Sequence, residues 1–89
     1  MAFTFDELVA KQRAANQAHE EVLKLRDLYG PPTAQPWTEQ QTDTYETAWR
    51  AWRDLARDVQ AAMTDYAKEH HRPRSAVEAE VKSRTRPDE

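Results

Sequence analysis

Tyr45-Glu46-Thr47-Ala48-Trp49-Arg50-Ala51-Trp52-Arg53-Asp54-Leu55-Ala56-Arg57-Asp58-Val59-Gln60-Ala61-Ala62-Met63-Thr64-Asp65-Tyr66 is the stretch that decides the fold. Within it Tyr45, Trp49, Trp52, Ala56, Val59, Met63 and Tyr66 recur at alternating steps of four and three. That alternation is the seam of a helix lying along another helix. The other helix lies upstream. Leu8, Lys11, Ala15, Ala18, Val22, Leu25 and Tyr29 step by three and four in the same way.

Punctuation between and around the two seams bounds them. Thr4 is placed to cap the amide of Glu7, with Glu7 reaching back, and Phe3 and Leu8 occupy the positions of a hydrophobic staple. The first helix is predicted from about residue 5 to Tyr29, stopped by Gly30 and kept from resuming by Pro31 and Pro32. Residues 30–36 form a stiff connector, short enough to return the chain antiparallel. Thr38 starts the second helix with Gln41 as its capping partner, and Pro73 requires it to end near His70 or His71. Ser75 and Glu78 repeat the capping pattern before a short segment, Ala76–Ser83, in which Val77 and Val81 lie one turn apart. Arg84–Glu89 reads as a frayed tail. The expected fold is all-α: residues 1–72 form a long antiparallel helical hairpin, and 73–89 a short third helix with a flexible tail.

In the register that follows, Val22 meets Tyr45, Ala18 meets Trp49, Ala15 meets Trp52 and Leu8 meets Val59. Large indoles thus fall opposite small alanines, as interdigitating layers require. On this reading Trp52→Ala costs on the order of 3–5 kcal/mol. At 1.5 Å per residue the first helix spans roughly 37 Å and the second roughly 50 Å, so Met63 and Tyr66 run past the end of the first helix. Either the third helix or a second chain has to cover them. Phe5, Val9 and Leu23 lie to one side of the first seam, and Leu28, Ala14 and Ala10 to the other. So broad an apolar arc exceeds what one partner helix needs, and points to a four-helix bundle completed by homodimerisation. Phe5, Val9, Leu23, Leu28, Met63 and Tyr66 are therefore the candidate protein-interface residues.

Composition excludes more than it assigns. The 89 residues allow one small domain, 33% of them charged, with net charge −3 and mean hydropathy −1.05. No cysteine is present, which removes disulfides and thiolate chemistry and fits a reducing cytoplasm. No run approaches a membrane span, and the N-terminus lacks the basic and apolar regions of a secretory signal. The one glycine, Gly30, argues against phosphate-cradling loops.

For chemistry the yield is small. No Glu-x-x-His pair or His pair four apart is present, His70 and His71 diverge on the helix, and His19 stands at the seam's edge as an ordinary, partly exposed histidine, so neither a metal nor a cofactor is expected. Ser75 and Ser83 lack a base–orienter pair, and the carboxylates lie on exposed faces where nothing tunes them, so no enzyme activity is expected. Arg50, Arg53 and Arg57 interleave with aromatics but point away from the seam among Asp43, Glu46, Asp54 and Asp58, as a solvated mixed face does.

The hairpin resembles the WXG-type small secreted proteins in size and architecture. Their two motifs are missing, however: Trp37 at the turn is followed by Thr38 and Glu39, and Tyr66 is followed four positions on by His70 instead of an acid. No family follows from the likeness. The expected function is a non-enzymatic protein–protein interaction module, an adaptor or regulator that pairs with itself or with a helical partner, without a membrane. The alternative is a nucleic-acid-associated regulator using the basic C-terminal residues Arg72, Arg74, Lys82, Arg84 and Arg86.

Overall fold

The structure is a computed structural model and describes residues 4–85, which form three helices and no strand. Helix α1 spans Phe5–Tyr29, α2 spans Glu39–Glu69 and α3 spans Arg74–Thr85.

Local chemistry sets the ends. Thr4 Oγ accepts the Glu7 amide at 3.1 Å, and the Thr4 hydroxyl itself donates to the Glu7 carboxylate. The proposed staple partner Phe3 lies outside the described residues. Gly30 takes φ 71°, where a side chain is strained, and its N–H donates to the Arg26 carbonyl at 2.9 Å. At α2 both halves of the capping box form: Gln41 N–H donates to Thr38 Oγ at 3.1 Å and Thr38 N–H to the Gln41 side-chain oxygen at 2.9 Å. The helix ends in a Schellman turn: His71 N–H donates to the Lys68 carbonyl, Arg72 N–H donates to the Ala67 carbonyl, and His71 takes φ 52°.

Helix α3 departs from its expected bounds at both ends. It begins at Arg74 because the Pro73 carbonyl accepts the amides of Ala76 and Val77, so Ser75 lies inside the helix and caps nothing. It also continues through Arg84 and Thr85, residues expected to fray, because Arg13 donates to the Arg84 carbonyl at 3.0 Å and Arg84 reaches Asp6.

The packing is asymmetric along the hairpin. Helix α3 lies across the open end, starting over α2, where Arg74 binds Gln60 and Thr64, and finishing over α1 at Arg84. Val77 and Val81, both fully buried, enter a core built by Leu8, Ala15, Val59, Ala62, Met63, Tyr66 and Ala67. The overhang of α2 is therefore covered from within the chain: Met63 and Tyr66 are buried, and Phe5 packs on Tyr66 with ring centroids 6.0 Å apart. Toward the turn α1 buries Val22 and Leu25, whereas α2 has no fully buried residue before Val59.

Leu8 and Val59, expected to meet, share one core cluster, while two contacts across the hairpin fall beside the expected pairs. Trp52 stacks on His19, one turn from Ala15, with centroids 4.3 Å apart and planes 22° from parallel. The flat imidazole offers the indole a face that an alanine methyl does not. Lys11, expected opposite Ala56, forms a 2.7 Å ion pair with Asp58. Trp49 is 40% exposed, so it is no internal filler.

Candidate interaction surface

The surface of interest begins where α3 stops. From the face of α2 that α3 covers at Gln60 and Thr64, the side chains of Ala56, Trp52, Trp49 and Tyr45 continue toward the turn with no third helix over them among the described residues. On the α1 side Leu23 is 41% exposed. Three adjoining concavities follow this line. One of about 370 Å³ is lined by Trp49, Trp52, Arg53, Ala56, Arg57 and Gln60. A second, of about 420 Å³, shares Trp49 and Arg53 with it and extends to Tyr45, Glu46 and Arg50. The third, of about 760 Å³, shares Tyr45 and runs past Leu23 to Trp37 and the connector.

The turn end of this groove is held in shape by an aromatic clasp. Trp37 Nε1–H donates to the Gly30 carbonyl at 2.9 Å, and its ring meets Tyr29 at 5.5 Å and Tyr45 at 5.0 Å, both edge-on. A tryptophan in a proline-rich connector was a readable signal for this clasp, because such a connector needs no indole to turn the chain.

Charge is uneven along the groove. Arg53 lies over the Trp49 ring at 5.3 Å, a cation–π contact, and its only ion pair among the described residues is with its neighbour Asp54 at 3.5 Å. Arg50 pairs with Glu46 at 3.6 Å. Arg57 is exposed and has no ion pair among the described residues.

The six candidate interface residues do not form one surface. Phe5, Val9, Met63 and Tyr66 lie at the end covered by α3, and all but the half-buried Phe5 are buried. Leu28 is 76% exposed on the far side of α1 from the groove, and only Leu23 lines it. Trp49 and Trp52, which the periodicity assigns to internal packing, are the residues that line it in their place.

The basic C-terminal residues are largely engaged within the chain. Arg72 forms two bonds to the Glu80 carboxylate, at 2.8 and 3.1 Å. This double bond holds the Glu80 carboxyl below its ordinary range and raises the Arg72 guanidinium further. Arg74 binds Glu78 at 2.8 Å besides Thr64 and Gln60, and Arg84 reaches Asp6 at 3.4 Å and the Phe5 ring at 5.4 Å. Lys82 is exposed, and Arg86 lies outside the described residues.

No group of three or more His, Asp or Glu side chains that could hold a metal occurs among the described residues, and no helix among them is long and apolar enough to cross a membrane. The chain matches no protein-family model, and no curated protein or solved structure matches it.

Proposed function

We infer that this protein is a non-enzymatic protein–protein interaction module that receives a helical partner on the turn half of its hairpin. One observation carries the reading: three-helix packing stops at Gln60, while the aromatic face of α2 continues to Tyr45. Scattered exposed apolar residues are ordinary on any protein surface. Tyr45, Trp49, Trp52 and Leu23 are instead contiguous, and tryptophan and tyrosine are the side chains that anchor interfaces most often. A helix in the third position would complete there the bundle that α3 completes at the other end. A second copy is one way to supply that helix, giving a homodimer, and another protein's helix is the other way. Nucleic-acid binding by the C-terminal segment gains less support, because Arg72, Arg74 and Arg84 are bonded to Glu80, Glu78 and Asp6.

Photo-crosslinking in the cells of origin tests the reading. A photoreactive residue at position 49 should give a discrete adduct that the same residue at Thr47, on the outer face of α2, does not give. With the probe moved to position 23, Trp49→Ala should reduce the adduct while the melting temperature shifts by only a few degrees, since the indole is 40% exposed. Equal labelling from positions 49 and 47 would remove the turn half as the working surface.

A further inference from the structure

Helix α3 displays what the cleft between α1 and α2 accepts. It inserts two valines one turn apart, Val77 and Val81, and secures its start by hydrogen bonds from Arg74 to Gln60 and Thr64. Gln60 also lines the first concavity of the uncovered groove, so the α2 face that Arg74 of α3 binds continues into that groove, which α1 joins at Leu23. From Gln60 to Tyr45 it runs roughly 22 Å along α2, the length of a helix of about fifteen residues. Its walls state the charge of the missing helix. The concavity next to α3 is lined by Trp49, Trp52, Ala56 and Gln60 with the cations Arg53 and Arg57, and no carboxylate is among its lining residues. Arg57 has no ion pair among the described residues, and Arg53 has only an exposed one with its own neighbour.

We propose that this groove binds an acidic amphipathic helix of a partner protein, with apolar side chains on Trp49, Trp52 and Ala56 and carboxylates on Arg53 and Arg57. The proposal rests on the interaction-module reading above and adds the partner's chemistry. The α3 of a second copy fits less well, because its acidic residues Glu78 and Glu80 are already bonded to Arg74 and Arg72. A nucleic-acid strand following the groove would meet Glu46 and Asp27 along its walls, where a helix can leave its acidic edge confined to one end.

The test is selection of displayed fifteen-residue helices against the purified full-length chain. Leucines are fixed on one face, and Glu, Lys or Ser is randomised beside them. The native chain should enrich Glu over Lys at least tenfold, the Arg53→Glu/Arg57→Glu double variant should reverse that preference, and Trp49→Ala should weaken the selected helices at least tenfold. Binding should also shift the tryptophan emission to shorter wavelength. Circular dichroism checks that the variants keep their helices, and Arg57→Gln, a milder change at an exposed site, should by itself cut the Glu preference several-fold. Helices selected without charge preference, yet lost in Trp49→Ala, would overturn the acidic partner and leave the docking surface standing. A solution mass of twice 10.4 kDa that falls to the monomer in Trp49→Ala would assign the groove to a second copy and overturn the proposal. Tight binding of a twenty-nucleotide oligouridine, lost on the same arginine reversal, would overturn both this proposal and the reading beneath it, as would selection of no helix by a monomeric chain.

Discussion

At Trp52 the indole lies flat on the His19 imidazole with part of its surface open to solvent, while Leu8, a much smaller side chain, is fully enclosed. Burial, not size, decides which of the two matters more to stability. Leu8→Ala should cost about 2–5 kcal/mol, because it leaves a cavity among Val59, Met63 and Val77 that cannot collapse without moving α3. Trp52→Ala should cost only about 1–2 kcal/mol, since water already reaches one side of the ring. Urea unfolding of the two variants checks the order, and a larger loss at Trp52 would mean that the turn half is packed as tightly as the open end. The spacing of the seam identifies which side of α2 faces inward, because periodicity reports direction. It carries no information about depth, which here depends on where α3 begins and ends. For that reason Trp49 and Trp52 read as filling although they line a groove.

Among the elements, those with local causes were legible and the docked one was not. Thr4, Gly30 and Thr38 act within a turn of their own position, so the sequence places the ends they set within about a residue, and the far end of α2, expected near His70 or His71, within two. Thr38→Ala should therefore cost about 1 kcal/mol, whereas Ser75→Ala, inside α3, should be close to neutral. Thermal melts of the pair distinguish a working cap from a sequence that merely looks like one. The seating of α3 was hidden for a different reason: two valines on a polar twelve-residue helix give a weak pattern, and the ties that hold it reach Gln60, Asp6 and Arg13, far away in sequence. One tie makes the seating sensitive to acid. The folded chain holds the Glu80 carboxyl below its ordinary value of 4.5, so the folded state resists protonation there more than the unfolded state does. The Arg72–Glu80 pair thus supports α3 fully above that value and loses its effect as the pH falls below it, through the folded pKa. The pair is exposed, so the effect is small. The protection factors of the α3 amides, taken relative to the intrinsic exchange rate at each pH, should fall below pH 4.5, by less in Glu80→Gln than in the native chain. An equal fall in both would assign the acid response to other carboxylates.

On the scale of the whole molecule, the chain is elongated, with extents of 51 × 31 × 18 Å and a radius of gyration of 16.2 Å against the roughly 12 Å expected of a compact domain of this length. Stability in such a shape is concentrated where three helices meet. Around Leu8, Val59, Val77 and Val81 every apolar side chain has neighbours on all sides; around Tyr45 and Trp49 two helices shield only each other. Opening the turn half exposes Val22 and Leu25 but leaves the three-helix core closed, so it can occur without global unfolding. Native-state hydrogen exchange should therefore show a gradient along both long helices. Amides near Leu8 and Val59 should exchange only through global unfolding, and those near Val22 and Trp49 should be about tenfold or more faster. Deleting the chain after His71 should remove the gradient by uncovering Met63 and Tyr66, leaving both ends equally weak and the shortened chain prone to associate. Uniform protection along α2 in the native chain would instead mean that the hairpin opens as one unit, and that the groove is as rigid as the core that adjoins it. A partner helix seated in that groove should raise protection around Trp49 toward the level at Val59, because it would supply there the third layer that α3 supplies at the open end.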